Sequence, residues 1–402
     1  MKILYHHRTA SRDGQSTHIE EMIGGLRTNG HTVRECAPSV EGQQDQAGGS
    51  GGWVGRLKTL LPRFLYELAE LAYSFIAYRR LARTIHEFQP DGIYERYNLY
   101  LLAGVWAKKR FGLPFILEVN APMAVERRQY GGLSWPSLAD RMEIYVWKNA
   151  DVILPVTQVL ADYMASKGVD SARIRVIPNA INELHYAALP SVEQAKAELG
   201  LGGRTVIGFT GFVREWDRLD RIVQWIALRA ADRNVHLLVI GDGPARLEIE
   251  ACAASLGVSD RLTFTGAVAR ERVPGLSMAF DIALQTALVP YASPLCLFEY
   301  LALSKAIVAP DQPNHREILA QGVDAVLYDP QDPRGIENAL DTLSQDEGLC
   351  KRVATAAGQV IARKQLTWRQ HAEKVVSLFS GLGKEGGSHA SKSAALGQGR
   401  GR

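Results

Sequence analysis

The carboxylate of Glu299 sits inside the apolar run Leu295-Cys296-Leu297-Phe298-Glu299-Tyr300-Leu301-Ala302, directly after Ser293-Pro294. The run reads as a helix whose start lies against a Pro-containing loop. A helix start leaves backbone N–H groups unpaired and carries the positive end of the helix dipole. It is therefore a ready site for phosphate. A carboxylate beside it can grip vicinal hydroxyls. The two together suit a diphosphate joined to a sugar. The plainer reading of Glu299 is a helix-terminal acid stabilised by the dipole alone.

A diphosphate leaving group develops negative charge that must be neutralised. Basic side chains follow the buried run Thr205–Gly211, in Gly211-Phe212-Val213-Arg214-Glu215-Trp216-Asp217-Arg218. Arg214 and Arg218 are the cations available there, and arginine suits bidentate phosphate contact. Solvated loop arginines are the alternative. No Asp-x-Asp stands at a strand end, so no metal is expected. Gly241-Asp242-Gly243 tests a dinucleotide site, which needs a third glycine where Arg246 stands. The first strand, Lys2 to Tyr5, also lacks G-x-G. An NAD enzyme is thereby disfavoured, and Gly241 reads as a tight strand-to-helix turn near a nucleotide. Thr265 and Gly266 are placed for backbone contact with the base. Cys296 is either a nucleophile or a small buried hydrophobe.

Asn120 follows the strand Pro114–Val119, at the edge where open α/β sheets bind ligands. It can bond sugar hydroxyls but cannot act as a base. Glu118, Glu126, Arg127 and Arg128 flank it. His18 lies on the first helix, just after the loop that contains Gly14. A lone histidine on an amphipathic helix reads as structural or as an acceptor contact.

These residues need a scaffold, and the pattern supplies one. Strand-like runs at residues 2–5, 31–33, 90–94, 114–119, 151–156 and 174–179 alternate with helical stretches, one of them roughly Arg63 to Phe88. A second series lies at 205–211, 235–241, 262–266, 282–285, 306–310 and 325–328. Continuous apolar runs suit strands buried on both faces. Strand–helix alternation argues parallel sheets with crossover helices. Two α/β halves are expected, 1–185 and 190–362. A helix near 365–380 should pack back on the first half, and a disordered tail is expected at 381–402.

The chain has 402 residues, enough for two cores, and a net charge of +3, too small to argue for nucleic acid. Its four cysteines (Cys36, Cys252, Cys296 and Cys350) are scattered, which disfavours a disulfide framework or zinc site and fits a reducing cytoplasm. No secretory signal or spanning run is read. Residues 53–64 mix basic and bulky apolar side chains. That mixture fits the inner, anionic face of a membrane or a core helix with solvated charges.

Several motifs occur in order: Gly30-His31-Thr32-Val33, Leu117-Glu118-Val119-Asn120-Ala121-Pro122, Val176-Ile177-Pro178-Asn179, Ile240-Gly241-Asp242-Gly243-Pro244 and Ser293 to Ala302. Together they resemble glycosyltransferase family 4, retaining nucleotide-sugar-dependent enzymes of the GT-B architecture, in the subgroup with an SPLKLFEYMA-like motif. The resemblance runs from Met1 to about Gln370. It implies two Rossmann-like parallel-sheet domains facing each other across a cleft. It also implies transfer of a sugar from a UDP- or GDP-sugar to an acceptor hydroxyl, in bacterial polysaccharide or glycolipid synthesis, with no metal and no cofactor. Glu299 would accept from the ribose, and Ser293, Pro294 and Leu295 would set their backbone against the diphosphate, Ser293 and Leu295 by their amides. Gly14, Gly211, Arg214, Arg218, Gly241, Thr265, Gly266 and Tyr291 would complete the donor site. Glu299, Arg214 and Asn120 would carry catalysis. His18, Asn120 and Glu126 would meet a saccharide or lipid-linked acceptor, the departing phosphate taking its proton. The chain departs from the pattern at Tyr291, where the family has a glutamate, at Cys296, where the subgroup has lysine, and at Phe212 and Asp217, where arginine and lysine are common. An epimerase or phosphorylase of the same architecture, or a non-catalytic nucleotide-sugar-binding protein, stays open.

Overall fold

The structure is a computed structural model, and it describes residues 1–9, 14–38, 62–229, 234–286 and 289–397. Most of the 53–64 stretch and the end of the tail lie outside the described residues. Two compact units result: Met1–Pro178 with the chain from Trp368 onward, and Asn179–Thr367.

The first unit carries a five-stranded parallel sheet in the order β2-β1-β3-β4-β5, with β1 Lys2–His6, β2 Thr32–Cys36, β3 Gly92–Arg96, β4 Phe115–Val119 and β5 Val152–Pro155. Its strands are short; β3, β4 and β5 are buried throughout, while the edge strand β2 is polar and largely exposed. That is what a sheet covered by helices on both faces requires. The sixth run expected at 174–179 is not a strand; it makes an isolated bridge from Ile174 to Ile153. The first helix, Gly14–Thr28, packs against the helix Trp368–Gly397. Gly25 makes this possible, because a Cβ there would stand 2.6 Å from the Trp368 carbonyl oxygen. The last helix runs on through 381–397, a span whose composition predicts disorder.

The second unit carries a six-stranded parallel sheet in the order β11-β10-β9-β6-β7-β8. Its strands are β6 Thr205–Thr210, β7 Val235–Ile240, β8 Leu262–Phe264, β9 Ile282–Leu284, β10 Ala306–Pro310 and β11 Val326–Tyr328. Apolar layers on both faces bury residues such as Ile207, Leu237, Leu238 and Phe298 completely. Each such side chain contributes about 1.5–3 kcal/mol. An exposed ion pair such as Arg218–Asp220 contributes about 0–1 kcal/mol, so the buried strands, not the surface charges, hold the unit. No helix among the described residues is long and apolar enough to cross a membrane.

In both sheets the strand order turns back on itself, between β1 and β3 and between β6 and β9. Open α/β sheets bind ligands beyond the carboxyl ends of the strands at such a point.

Candidate functional site

In the second unit the loop after β6 and the loop after β9 meet at this turning point. Asp217, only 6% exposed, joins them. Its Oδ1 accepts from Thr286 Oγ1 at 2.7 Å and its Oδ2 from the Arg214 amide at 2.8 Å. Burial raises the Asp217 carboxyl above its ordinary value, against the pull of these donors. The chemistry expected of a cation at this position is therefore absent; the residue is a clamp. Next to Thr286, Gln285 accepts from the Cys296 thiol at 3.2 Å. The start of the helix Leu295–Ala302 is thus tied to the same strand end.

Pro294 precedes this helix and supplies no side-chain cap. Glu299, one turn in, is half-buried. Burial raises that carboxyl above the usual range, opposed by the charge of Arg270. Burial also pushes the Cys296 thiol up to about 12, with Glu299 adding to the effect. A raised thiol argues against a nucleophile, and the side chain is half-buried with its thiol spent on Gln285 rather than a fully buried hydrophobe.

The loop before the helix is fixed from two sides. The Asn179 amide donates to Ser293 Oγ at 3.0 Å, and its side-chain amide donates to the Ser293 carbonyl. Asn314 donates to the Ala292 carbonyl at 2.8 Å. On the other side of the helix start, the Tyr300 hydroxyl accepts from the Thr210 amide at 2.8 Å. Glu299 is thereby carried between two anchored neighbours.

Arg214 is exposed, its guanidinium 5.1 Å from the Phe212 ring centre and 5.0 Å from that of Trp216. Both rings face solvent. Arg218 is exposed too and is paired with Asp220 in its own turn. Gly211 and Gly241 sit at φ +150° and +141°, and a Cβ on Gly241 would fall on the Gly211 carbonyl oxygen. Only glycine allows the β6 and β7 ends to come this close. Gly241 bridges to Gly266, and the Thr265 hydroxyl accepts from the Gly241 amide at 3.3 Å and donates to the Gly266 carbonyl at 2.9 Å. Arg246, standing where a dinucleotide fingerprint has glycine, is held by Glu250 and Asp242. Tyr291 and Leu295 are half-buried in the loop and first turn.

In the first unit a buried carboxylate gathers the expected acceptor residues. Glu118, 2% exposed at the end of β4, accepts from Arg96 at 2.6 Å, Asn120 at 2.6 Å and the Tyr94 hydroxyl at 2.7 Å. His18 Nε2 lies 2.9 Å from its Oε2. Burial alone would raise this carboxyl, but His18 and Arg96 outweigh it and hold it well below the carboxylate range. Beside it, His6 Nδ1 pairs with Glu95 Oε2 across β1 and β3, and Tyr5 stacks on Tyr94 at 4.9 Å. His18 also meets the Trp368 ring edge-on at 4.6 Å. Asn120 and His18 are therefore brought together, while Glu126 lies on the separate short helix Met123–Glu126. Gly14 opens the first helix. Arg96, Tyr94, Glu95 and His6 were not singled out in the sequence: Tyr94 sits in a run that reads as strand, and the other three lie at the ends of β1 and β3, just past the runs read there. Among the described residues no group of three or more acidic, histidine or cysteine side chains could hold a metal ion.

Comparison with known proteins converges on one class. Residues 13–180 match the glycosyl transferase 4-like domain, and residues 191–360 match glycosyl transferases group 1. The chain has two parallel-sheet α/β domains of the GT-B type, and it belongs to glycosyltransferase family 4. A 2-deoxystreptamine glucosyltransferase of Streptomyces kanamyceticus is 32% identical over 197 residues, 46% of this chain and 49% of that one. A 2-deoxystreptamine N-acetyl-D-glucosaminyltransferase of Streptomyces fradiae is 29% identical over 247 residues, 55% and 56% of the two chains. The chain thus spans about half the length of these curated relatives. Among solved structures, the Anabaena protein HepE in complex with UDP aligns with a TM-score of 0.72 at 17% identity, over 95% of this chain and 100% of that one. Sucrose-phosphate synthase from Thermosynechococcus elongatus aligns with a TM-score of 0.72 at 17% identity, over 96% and 99%.

Proposed function

We propose that this chain moves a sugar from a UDP- or GDP-sugar to an acceptor hydroxyl with retention of anomeric configuration, and that the unit Asn179–Thr367 binds the donor. The observation that carries the reading is the start of the helix Leu295–Ala302. It has no side-chain cap at Pro294, and Glu299 stands one turn inside it, half-buried, with its carboxyl raised by burial against the charge of Arg270. Backbone amides at such a start stabilise the developing diphosphate charge. Glu299 accepts from the ribose hydroxyls, and Arg214 supplies the mobile cation. Charge neutralisation is assigned to these groups without a metal or cofactor.

The acceptor is a polyhydroxylated ring, a saccharide or cyclitol, approached by the Asn120 end of β4. The Streptomyces relatives, both named for transfer to 2-deoxystreptamine, support a ring of this kind. With Glu118 held ionised and fully bonded inside the unit, it orients Asn120 and His18 rather than exchanging protons. The departing phosphate oxygen takes the acceptor proton on the face it leaves.

The test is a nucleotide-release assay with UDP- and GDP-sugars, with and without 2-deoxystreptamine and simple cyclitols. Release that requires an acceptor supports the reading. Isomerised donor without release marks an epimerase, a requirement for free phosphate marks a phosphorylase, and binding without turnover of any donor marks a non-catalytic protein.

A further inference from the structure

Asn120 is held to Glu118 by its side chain and is followed at once by Ala121-Pro122 and the short helix Met123–Glu126. Pro122 gives that helix no side-chain cap. The cap comes instead from the helix Pro136–Asn149, where Glu143 Oε1 accepts from the Ala124 amide at 3.2 Å. Ala124 is wholly buried and packs with Leu99, Tyr100 and Ala139. The segment that carries Asn120 is thus fixed at one end by Glu118 and at the other by Glu143.

Glu143 is 2% exposed. Among the described residues no cation is paired with it. Arg127 and Arg128, which follow the short helix, are taken by Glu70 and Asp140. Arg141 and Lys148, on the helix of Glu143 itself, are exposed. Asp140 on that helix and Glu126 on the short one are like charges. The hydroxyls of Tyr97, just past β3, and of Tyr163, on the helix Gln158–Ser166, bring no positive charge. A carboxylate buried in this way is costly, whereas the protonated carboxyl is not. The protonated form still accepts from the amide through its carbonyl oxygen. Burial accordingly raises this carboxyl to about 7. Once ionised it gains water only if the short helix lifts away.

We propose that Glu143 is a positioning residue for Asn120, a latch that holds the helix Met123–Glu126 on the helix Pro136–Asn149 while its carboxyl carries a proton and releases it on ionisation. The inference deepens the acceptor reading and rests on it for what Asn120 does, but the latch lies in the first unit alone. Linkage sets its direction. The closed segment holds the proton more tightly than an open one, whose carboxyl has the ordinary value of 4.5. Closure is therefore strongest below 4.5 and weakens as pH rises to about 7.

The experiment is hydrogen–deuterium exchange of the full chain from about pH 5 to about pH 8, without donor or acceptor, corrected for the intrinsic pH dependence of exchange. In wild type, protection of the amides of Met123–Glu126 should fall about tenfold for each pH unit up to about 7 and level above. It should also lie at least about tenfold below that of β3 and β4 at every pH, as local opening requires. Glu143→Gln, which imitates the protonated form, should keep the segment protected throughout. Glu143→Ala, which removes the cap, should leave it exposed throughout. A wild type whose protection does not change with pH overturns the proposal, and so does a Glu143→Gln chain with the wild-type slope. Segment protection equal to that of β3 and β4 would mean that the whole unit opens together, and overturns it as well. Should Glu143→Ala unfold, wild type and Glu143→Gln carry the comparison. Exchange uses no substrate, so failure of the latch shows here, while failure of the acceptor reading shows in the nucleotide-release assay.

Discussion

Asp217 and Thr286, 69 residues apart in sequence, share a hydrogen bond of 2.7 Å that fastens the loop after β6 to the end of β9. The same carboxylate holds the Arg214 amide. Asp217→Ala leaves both donors without this partner in a buried place, a loss of about 1–3 kcal/mol each way it is counted. Thr286→Val should cost about 1 kcal/mol, and the double variant should show a coupling of similar size in urea denaturation. Additive losses would mean that the two loops are not joined through this bond. Because the clamp sets the Arg214 loop, nucleotide affinity should fall in Asp217→Ala beyond what stability explains.

Gly241→Ala should be poorly tolerated. The new methyl meets the Gly211 carbonyl and a φ of +141° at once. Strain of this kind costs on the order of 1–3 kcal/mol before the clash is added. Thermal unfolding of the variant should show a large drop in midpoint; a midpoint within a degree or two of wild type would mean that the β6 and β7 ends do not approach as described.

Glu118→Ala should be among the most damaging single changes in the first unit. It strips Arg96, 8% exposed, of its buried partner, and a broken buried pair costs about 3–5 kcal/mol. Since the folded carboxyl is held below its ordinary value of 4.5, its contribution is present above that pH and lost as pH falls through the folded value. The acid limb of the wild-type stability curve should therefore be shallower in the variant. An unchanged acid limb would remove Glu118 as the cause.

Glu143 has the opposite sign. Burial raises its carboxyl from 4.5 to about 7, against the Ala124 amide and the Tyr97 hydroxyl, which lower it. Between those values the folded chain holds a proton that the unfolded chain has released, so stability falls as pH rises from 4.5 to 7, by on the order of 3 kcal/mol, and is level above. Glu143→Gln keeps an acceptor for Ala124 and should flatten this segment of a urea-derived stability profile. A profile as steep as wild type's would place the effect elsewhere.

Much of the architecture was legible because it is local. Apolar runs such as Leu237–Ile240 and Ala306–Pro310 read as buried strands, and the helix Arg63–Phe88 declared its length. The motif around Glu299 pointed to the correct family. What the sequence hid is pairing over distance. Nothing in Val176-Ile177-Pro178-Asn179 says that Asn179 holds Ser293, 114 positions on. Asp217 read as a missing cation, whereas its carboxylate is consumed by Thr286 and Arg214. Asn120 and His18 read as separate acceptor contacts, whereas both converge on Glu118, with Arg96 and Tyr94 supplied by β3, a strand 22 and 24 positions earlier. Run length and motif order report on elements; side-chain partners report on topology, which only the folded sheet order reveals.

The most direct trial of the donor site is calorimetric titration of uridine and guanosine diphosphates into wild type and Glu299→Ala. Wild type should bind one of the two, and at 100 times its dissociation constant that ligand should stabilise the fold by about 2.7 kcal/mol. Glu299→Ala should stay folded and lose most of the affinity. Equal binding by the variant, or no binding of either diphosphate by wild type, would contradict a site built on this helix start.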